Sequence, residues 1–237
     1  MVWKEIKAKL KWIDPFTYLD FFIEFLHKKG INYKILDIVL QILYALLLAY
    51  ITILIIGLFT GAAKPITIVV TGSMEPNVNI GDFLFIGSAK NIETTDVYYN
   101  GNVGGKDVKE FLEPIFVNGN TTKVKIDGNI YDLNTNADVV VYYSPIVNKD
   151  LVHRAVLKIH ANDGIFYITK GDNTETNFMI DEDCNFVYGP YIVTDACLYK
   201  TAIPESELQG KMLWKIPYLG YIKVIPYKIF LWVKGLF

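Results

Sequence analysis

The chain has 237 residues, of which 52% are hydrophobic and 20% are charged. A soluble domain averages about 45–50% apolar and about 25% charged residues, so this composition predicts a membrane segment. Basic and acidic side chains nearly cancel to a formal net charge of −2, which disfavours nucleic-acid binding because a phosphate backbone calls for a basic surface.

The first predicted segment, residues 1–35, mixes aromatic side chains with lysines. Their spacing between Trp3 and Lys29 predicts one or two amphipathic helices. Two placements are open for these helices. They would lie at the inner membrane surface, or they would pack on themselves or on the segment that follows.

Residues 36–63 are predicted to form a transmembrane helix. No charged side chain occurs in residues 38–63, and about 20 apolar residues suffice to cross a bilayer as a helix. Seven lysines precede this run, whereas only Lys64 and Lys90 follow it as far as residue 90. Because basic flanks stay in the cytoplasm, we expect a single-pass protein with a cytoplasmic N-terminus. The run is too long for a cleaved signal peptide.

Residues 64–216 are predicted to form an external, mainly β domain. Short β-branched and aromatic runs bounded by turn residues occur at 66–70, 83–86, 139–143 and 165–168. No helical pattern alternates with them, which disfavours a parallel fold. The stretch 98–137 is polar and punctuated by glycine, and it is predicted to be a hairpin-rich insertion outside the core.

Residues 217–237 form the last predicted segment, close to the membrane. Three lysines interrupt its apolar residues, and Pro226 is expected to break a helix. Such a segment cannot span a bilayer. It either dips into the outer leaflet interface or adds a last strand to the domain.

The two cysteines, Cys184 and Cys197, are too few for a disulfide scaffold and lack zinc-finger spacing. One bridge in an oxidising space and two unpaired thiols are both compatible with the sequence. No metal site and no cofactor are predicted.

Candidate chemistry begins at Ser73, in a turn after the first external strand. A serine nucleophile needs an adjacent base, and the base needs an orienting group. His27 precedes the span and lies on the wrong side of the membrane, which leaves His153 and His160. Four of the acids between residues 172 and 183 would serve as the orienter by chemistry alone: Asp172, Asp181, Glu182 and Asp183.

The order of these features resembles that of the type I signal peptidases. A membrane anchor is followed by Gly-Ser-Met-Glu-Pro at 72–76, then by Gly-Asp at 81–82, His-Arg at 153–154, Thr-Lys-Gly-Asp-Asn at 169–173 and Ile-Pro-Tyr-Leu-Gly-Tyr at 216–221. The resemblance covers Ile66 to Gly87, Ala137 to Asp183 and Gly210 to Tyr221. It points to the archaeal and endoplasmic-reticulum branch, because His153 stands where the bacterial branch has a lysine.

The resemblance implies a Ser-His-Asp triad. Ser73 stands at the position of the nucleophile and His153 at that of the general base. The family's acid follows the Gly-Asp-Asn aspartate, Asp172, by a few residues. A short insertion in this chain would move it to Asp181, with Asp172 as a supporting group and Asp183 in reserve.

The resemblance also implies the remaining parts of an acyl-transfer site. The backbone N–H of Ser73 and the hydroxyl of Thr71 would stabilise the oxyanion. Ile68, Val70 and Met74 are candidates to line shallow apolar pockets for small residues before the cut. The first strand would pair with the extended substrate.

The implied function is removal of signal peptides from exported preproteins at a cell or endoplasmic-reticulum membrane. The partners would be preproteins, the lipid bilayer and the protein-export channel, and not nucleic acid. One alternative is an inactive paralogue that acts as an assembly subunit, and another is a membrane-tethered binding module. The β domain also resembles self-cleaving SOS-type repressors, but their lysine base and DNA-binding head are missing.

Overall fold

The computed structural model describes residues 11–188, 191–193 and 196–233. The chain divides into two compact units, Met1–Ile56 and Gly57–Phe237. Residues 1–10 of the predicted amphipathic segment lie outside the described part of the chain.

The described residues of the first unit contain two helices. Helix α1 (Phe16–Lys28) buries Thr17, Leu19 and Ile23 and exposes its other face. The Tyr44 hydroxyl of helix α2 (Lys34–Thr60) donates to the Pro15 carbonyl at the start of α1. An amphipathic helix is therefore confirmed for residues 16–28, and it packs on the long helix that follows.

Helix α2 is long and apolar enough to cross a membrane, with a mean hydropathy of 2.7 in its most apolar window. At about 1.5 Å per residue its 27 residues extend roughly 40 Å. It ends at Thr60, three residues before the predicted boundary at Ala63. Gly61 ends it by adopting a φ of 69°, a left-handed conformation that glycine tolerates well.

The second unit is mainly β, as the sequence predicts. Its principal sheet has eight described strands: β1 (Ile66–Ile68), β2 (Phe83–Gly87), β3 (Asp96–Tyr98), β7 (Val139–Ser144), β8 (Lys149–Ala161), β9 (Gly164–Lys170), β12 (Ile203–Pro204) and β13 (Leu208–Ile216). Seven of them lie in the order β1-β2-β13-β7-β8-β9-β12, and β3 pairs in parallel with β8. All other pairs in this sheet are antiparallel.

The remaining described strands form two smaller antiparallel sheets. Strands β4 (Glu113–Val117), β5 (Asn120–Ile126) and β6 (Asn129–Asp132) form a meander, and β10 (Phe186–Tyr188) pairs with β11 (Tyr191–Val193). The meander lies within the predicted hairpin-rich insertion 98–137.

The prediction that this insertion lies outside the core is wrong. Its apolar side chains are buried in one cluster with those of β8 and β9, and they come from one face of β5 and from the segments that flank the meander. The insertion members of that cluster are Val103, Val108, Phe111, Leu112, Val124, Ile126 and Leu133. The polar composition of residues 98–137 reflects only the outward face.

The C-terminal segment also differs from its prediction. Residues Tyr221–Val233 form helix α3, and Pro226 lies inside it. A proline in a helix removes one N–H donor, here the bond to the carbonyl four residues earlier, and the apolar neighbours continue the helix regardless. Val224 is buried, and the N–H of Gly220 donates to the Gly81 carbonyl.

Candidate active site

Strand β8 carries His153 and Arg154 in adjacent positions, so their side chains leave opposite faces of the strand. His153 Nδ1 lies 2.6 Å from Asp181 Oδ2, and the two residues are 1% and 4% exposed. An ionised carboxylate can only accept a hydrogen bond, so Nδ1 carries the hydrogen. The second ring nitrogen, Nε2, is then free to accept a proton.

The Asp181 carboxylate also accepts hydrogen bonds from Thr169 Oγ1 at 2.7 Å and from the Tyr142 hydroxyl at 2.9 Å. Burial alone raises the pKa of Asp181, but the facing His153 imidazole and these hydrogen bonds outweigh burial and hold its pKa below the usual value. The carboxylate is therefore fixed in its charged form.

The main chain holds Asp181 from two sides. Its N–H donates to the Thr169 carbonyl at 2.9 Å, and its own carbonyl accepts from Leu198 N–H at 2.7 Å. A disulfide joins Cys184 to Cys197 immediately beyond these contacts. The structure thus selects the bridge that the sequence left open, and the bridge ties the acid-bearing segment to residues 196–199.

The Asp172 carboxylate forms an ion pair with the Arg154 guanidinium. Arg154 Nε donates to Oδ1 at 2.8 Å and Nη2 donates to Oδ2 at 2.5 Å, while Asn77 Nδ2 donates to Oδ2 at 2.9 Å. The planar guanidinium matches both carboxylate oxygens. Asp172, named from the sequence as a supporting group, therefore binds Arg154 and Asn77 through its side chain. The sequence held one indication of this ion pair: Arg154 is the only arginine in the chain, and it adjoins the candidate base His153.

Asp183 points elsewhere. Its carboxylate lies 2.9 Å from Lys109 Nζ, which the insertion supplies, and its side chain is almost fully buried. Asp181 is therefore the aspartate that contacts His153 among the candidates named from the sequence.

Ser73 lies in the turn between β1 and β2 and is half-buried. Asn173 holds this turn with two bonds: its N–H donates to the Ser73 carbonyl and its Nδ2 donates to the Gly72 carbonyl, both at 3.0 Å. A Cβ on Gly171 would stand 2.6 Å from the Ser73 carbonyl oxygen. The Ser73 turn thus rests on the loop that leaves β9.

The other candidate positions differ in accessibility. Thr71 is exposed, Val70 is 59% exposed and Ile68 is half-buried. Met74 is 1% exposed and packs in an apolar cluster with Val69 and Val78. Val70 and Ile68 are thus the accessible members of the predicted substrate surface.

Three further side chains surround the His153–Asp181 pair, and of these only Glu182 was among the acids considered from the sequence. Tyr142 and Thr169 contact Asp181 directly. Glu182 is fully buried, and the Thr169 N–H donates to its two carboxyl oxygens at 3.0 and 3.2 Å. Burial, reinforced by the charge of Asp181, raises the pKa of Glu182 well above its usual value.

Lys170, at the end of β9, is also buried. Its Nζ donates to the Asn177 carbonyl at 2.5 Å. Burial lowers the pKa of Lys170, whereas the nearby carboxylates of Asp181 and Asp172 oppose that shift. Within the described residues, no group of three histidine, cysteine or acidic side chains is arranged to hold a metal ion.

Comparison with known proteins adds an independent observation. The chain is 25% identical over 218 residues to the signal peptidase complex catalytic subunit SEC11C of Homo sapiens and to that of Mus musculus, covering 89% of this chain and 81% of each relative. It is 23% identical over 170 residues to the signal peptidase complex catalytic subunit SEC11 of Colletotrichum graminicola, covering 72% and 68%. No family model matches the chain.

These relatives support the signal peptidase family. Their names mark them as catalytic subunits, and the prediction that the chain is a peptidase is confirmed. The N-terminal apolar helix fits the membrane anchor that the sequence predicts.

Proposed function

We propose that this protein is a membrane-bound serine endopeptidase that removes signal peptides from exported preproteins. Ser73 is the nucleophile, His153 the general base and Asp181 the orienting acid, which places the chain in the Ser-His-Asp branch of the family. The buried contact between His153 and Asp181 carries this proposal. The similarity to signal peptidase catalytic subunits supports it independently.

The geometry supports acyl transfer in two steps. His153 Nε2 takes the proton of the Ser73 hydroxyl while Ser73 Oγ bonds to the scissile carbonyl carbon. The oxyanion accepts hydrogen bonds from the Ser73 N–H and the Thr71 hydroxyl. His153 then gives its proton to the leaving amine as the C–N bond breaks. Water, deprotonated by the same imidazole, releases the acyl group and restores the Ser73 hydroxyl.

The substrate is an extended segment that pairs with β1. In the described sheet, β1 is the terminal strand and pairs only with β2, so its other edge is open for backbone hydrogen bonds. Ile68 and Val70 are accessible on this strand and its continuation. Pockets lined by such side chains suit small residues before the cleaved bond.

The membrane placement follows from α2 and the lysines. Helix α2 is the anchor, the N-terminus is cytoplasmic, and residues 64–216 with their site lie outside or in the lumen. The Cys184–Cys197 disulfide supports this placement, because disulfides persist in oxidising compartments. Preproteins, the bilayer and the protein-export channel are the partners in this proposal.

The proposal is tested by preprotein cleavage with the full-length protein in membranes. We expect wild type to cleave and Ser73→Ala to lose at least about 10³-fold in rate. Ser206→Ala, the same change at an exposed serine, is the matched control and keeps the wild-type rate. Cleavage by Ser73→Ala at the wild-type rate would remove Ser73 from the mechanism. A folded wild type that cleaves no preprotein would favour the inactive paralogue or the binding module.

A further inference from the structure

Around Thr169 Oγ1, the polar atoms make more hydrogen-bond contacts than the hydroxyl and imidazole hydrogens can supply. Thr169 Oγ1 lies 2.7 Å from Asp181 Oδ2, 3.0 Å from Glu182 Oε1 and 3.3 Å from the Tyr142 hydroxyl. Asp181 Oδ2 also contacts the Tyr142 hydroxyl and His153 Nδ1. Each hydroxyl has one hydrogen, and so does the imidazole nitrogen.

The closest contacts fix where these hydrogens go. Asp181 Oδ2 receives the hydrogens of His153 Nδ1, Tyr142 and Thr169, since a carboxylate has none to give. The Thr169 hydroxyl then has no hydrogen left for Glu182 at 3.0 Å. That contact is a hydrogen bond only if Glu182 supplies the hydrogen.

We infer that Glu182 is a neutral carboxylic acid that donates through the Thr169 hydroxyl to Asp181, and thereby acts as a positioning residue for the His153–Asp181 pair. This inference rests on the proposed function for its catalytic meaning, but the protonation state is a property of the fold alone.

The surroundings of Glu182 agree with a neutral group. Asp181 and the hydroxyl-bearing side chains of Tyr142 and Tyr199 face it, and His153 lies beyond Asp181. No lysine or arginine of the described residues forms an ion pair with Glu182. The buried Lys170 interacts electrostatically with Asp181, but it donates its hydrogen bonds to the carbonyls of Gly171 and Asn177. The Glu182 side chain is fully buried, and a negative charge on it would be repelled by the adjacent Asp181 carboxylate. The raised pKa of Glu182 has this same cause.

A neutral donor at this place changes what Asp181 does. The relayed hydrogen bond draws negative charge away from Oδ2 and fixes the carboxylate plane toward His153. An ionised Glu182 would have the opposite effect, because a second negative charge would favour the imidazolium. A neutral Glu182 and an ionised Glu182 therefore predict opposite changes in the protonation of the His153 imidazole when Glu182 is replaced.

The protonation state is tested first by infrared difference spectroscopy on the full-length protein in detergent at neutral pH. The difference between wild type and Glu182→Gln should contain the C=O band of a protonated carboxylic acid. Glu175→Gln, the same change at an exposed glutamate, is the matched control and should remove a carboxylate band instead. A carboxylate band lost in Glu182→Gln would overturn the inference.

The positioning role is tested by NMR titration of the His153 imidazole in a Ser73→Ala background. We expect Thr169→Val to raise the titration midpoint by about half a unit or more, and Thr169→Ser, which keeps the hydroxyl, to restore it. Glu182→Leu should raise the midpoint as Thr169→Val does. Glu182→Gln retains a neutral donor, so its midpoint should stay at that of the Ser73→Ala background. A midpoint that falls by about one unit in Glu182→Gln would mean that Glu182 is ionised.

These readouts separate the inference from the proposed function. Neither measurement depends on cleavage, so a protein that cuts no preprotein can still carry a neutral Glu182. Conversely, an active enzyme with an ionised Glu182 would overturn the inference alone. If Glu182→Leu fails to fold, the two Thr169 variants and Glu182→Gln decide the outcome.

Discussion

Asn173 binds the main chain of Ser73: its N–H donates a 3.0 Å hydrogen bond to the Ser73 carbonyl oxygen. The two residues lie far apart in sequence, in the loop after β9 and in the turn after β1. The neighbouring Asp172 pairs with Arg154, which adjoins His153 on β8. One loop therefore connects the Ser73 turn to the strand that carries His153.

The first prediction concerns Gly171 in this loop. A Cβ there would stand 2.6 Å from the Ser73 carbonyl oxygen and 2.6 Å from Asn177 Cγ. Gly171→Ala must push the Ser73 turn away, and a displacement of about 1 Å can cost about 10²-fold in rate. We expect a loss of that size in preprotein cleavage, with far-ultraviolet circular dichroism unchanged. Wild-type cleavage by Gly171→Ala would show that the turn does not position Ser73.

The second prediction separates the aspartates. Asp181→Asn should lose activity with the fold intact, since the amide cannot hold the His153 tautomer, and an equivalent change in another serine protease costs about 10⁴-fold. Asp172→Asn should chiefly lower the melting temperature, because it leaves the buried Arg154 guanidinium without its counterion, a loss of about 3 kcal/mol.

Asp183→Asn serves as the comparison in this series. Asp183 is buried against Lys109. Because Lys109 is partly exposed, we expect Asp183→Asn to lose about 1 kcal/mol of stability with little effect on cleavage. Cleavage rates and melting temperatures of all three variants check these assignments. A folded but dead Asp183→Asn beside an active Asp181→Asn would reassign the acid.

The third prediction concerns the disulfide. The bridge closes a short loop next to Asp181, and such a loop contributes about 3 kcal/mol by constraining the unfolded chain. Cys184→Ser and Cys197→Ser should therefore lower the melting temperature, and they should lower cleavage as well because residues 196–199 hold the Asp181 carbonyl. The two variants should resemble each other and the reduced wild type. Full activity in the reduced protein would contradict the proposed support of Asp181.

The fourth prediction is a pH dependence of stability. The folded-state pKa of Glu182 is raised, so its stabilising contribution is complete below the unfolded value of about 4.3 and declines as pH rises. The loss is at most about 1.4 kcal/mol per pH unit. Gln at this position does not titrate. The unfolding free energy of Glu182→Gln minus that of wild type should thus increase as the pH rises above about 5. A constant difference in denaturant melts would contradict it.

The local patterns of the chain predicted much of the fold. The long apolar run without charged side chains predicted α2. The β-branched and aromatic runs at 66–70, 83–86, 139–143 and 165–168 coincide with strands β1, β2, β7 and β9. The helix over Pro226 was not predictable from propensity, because apolar neighbours outweighed one missing hydrogen bond. The core role of the insertion was hidden because its buried side chains come from one face of β5 and from irregular segments without a periodic apolar pattern.

The site was predictable only where residue type restricts chemistry. The chain has three histidines, and topology excluded one, so His153 was within reach. Asp181 depended on assuming an insertion. The contacts among Tyr142, Thr169 and Glu182 could not be inferred, because these side chains meet through pairing of distant strands and through the fold of residues 181–184.

The contacts of Asp181 also determine when the site can exist during synthesis. Its carbonyl is held by the N–H groups of Leu198 and Tyr199, and the Cys184–Cys197 bridge forms only after both cysteines have been made. A nascent chain that ends before residue 197 contains Ser73, His153 and Asp181 but lacks the partner segment that fixes the acid. The assembled site is therefore a late product of translation, completed after nearly all of the β domain has left the ribosome.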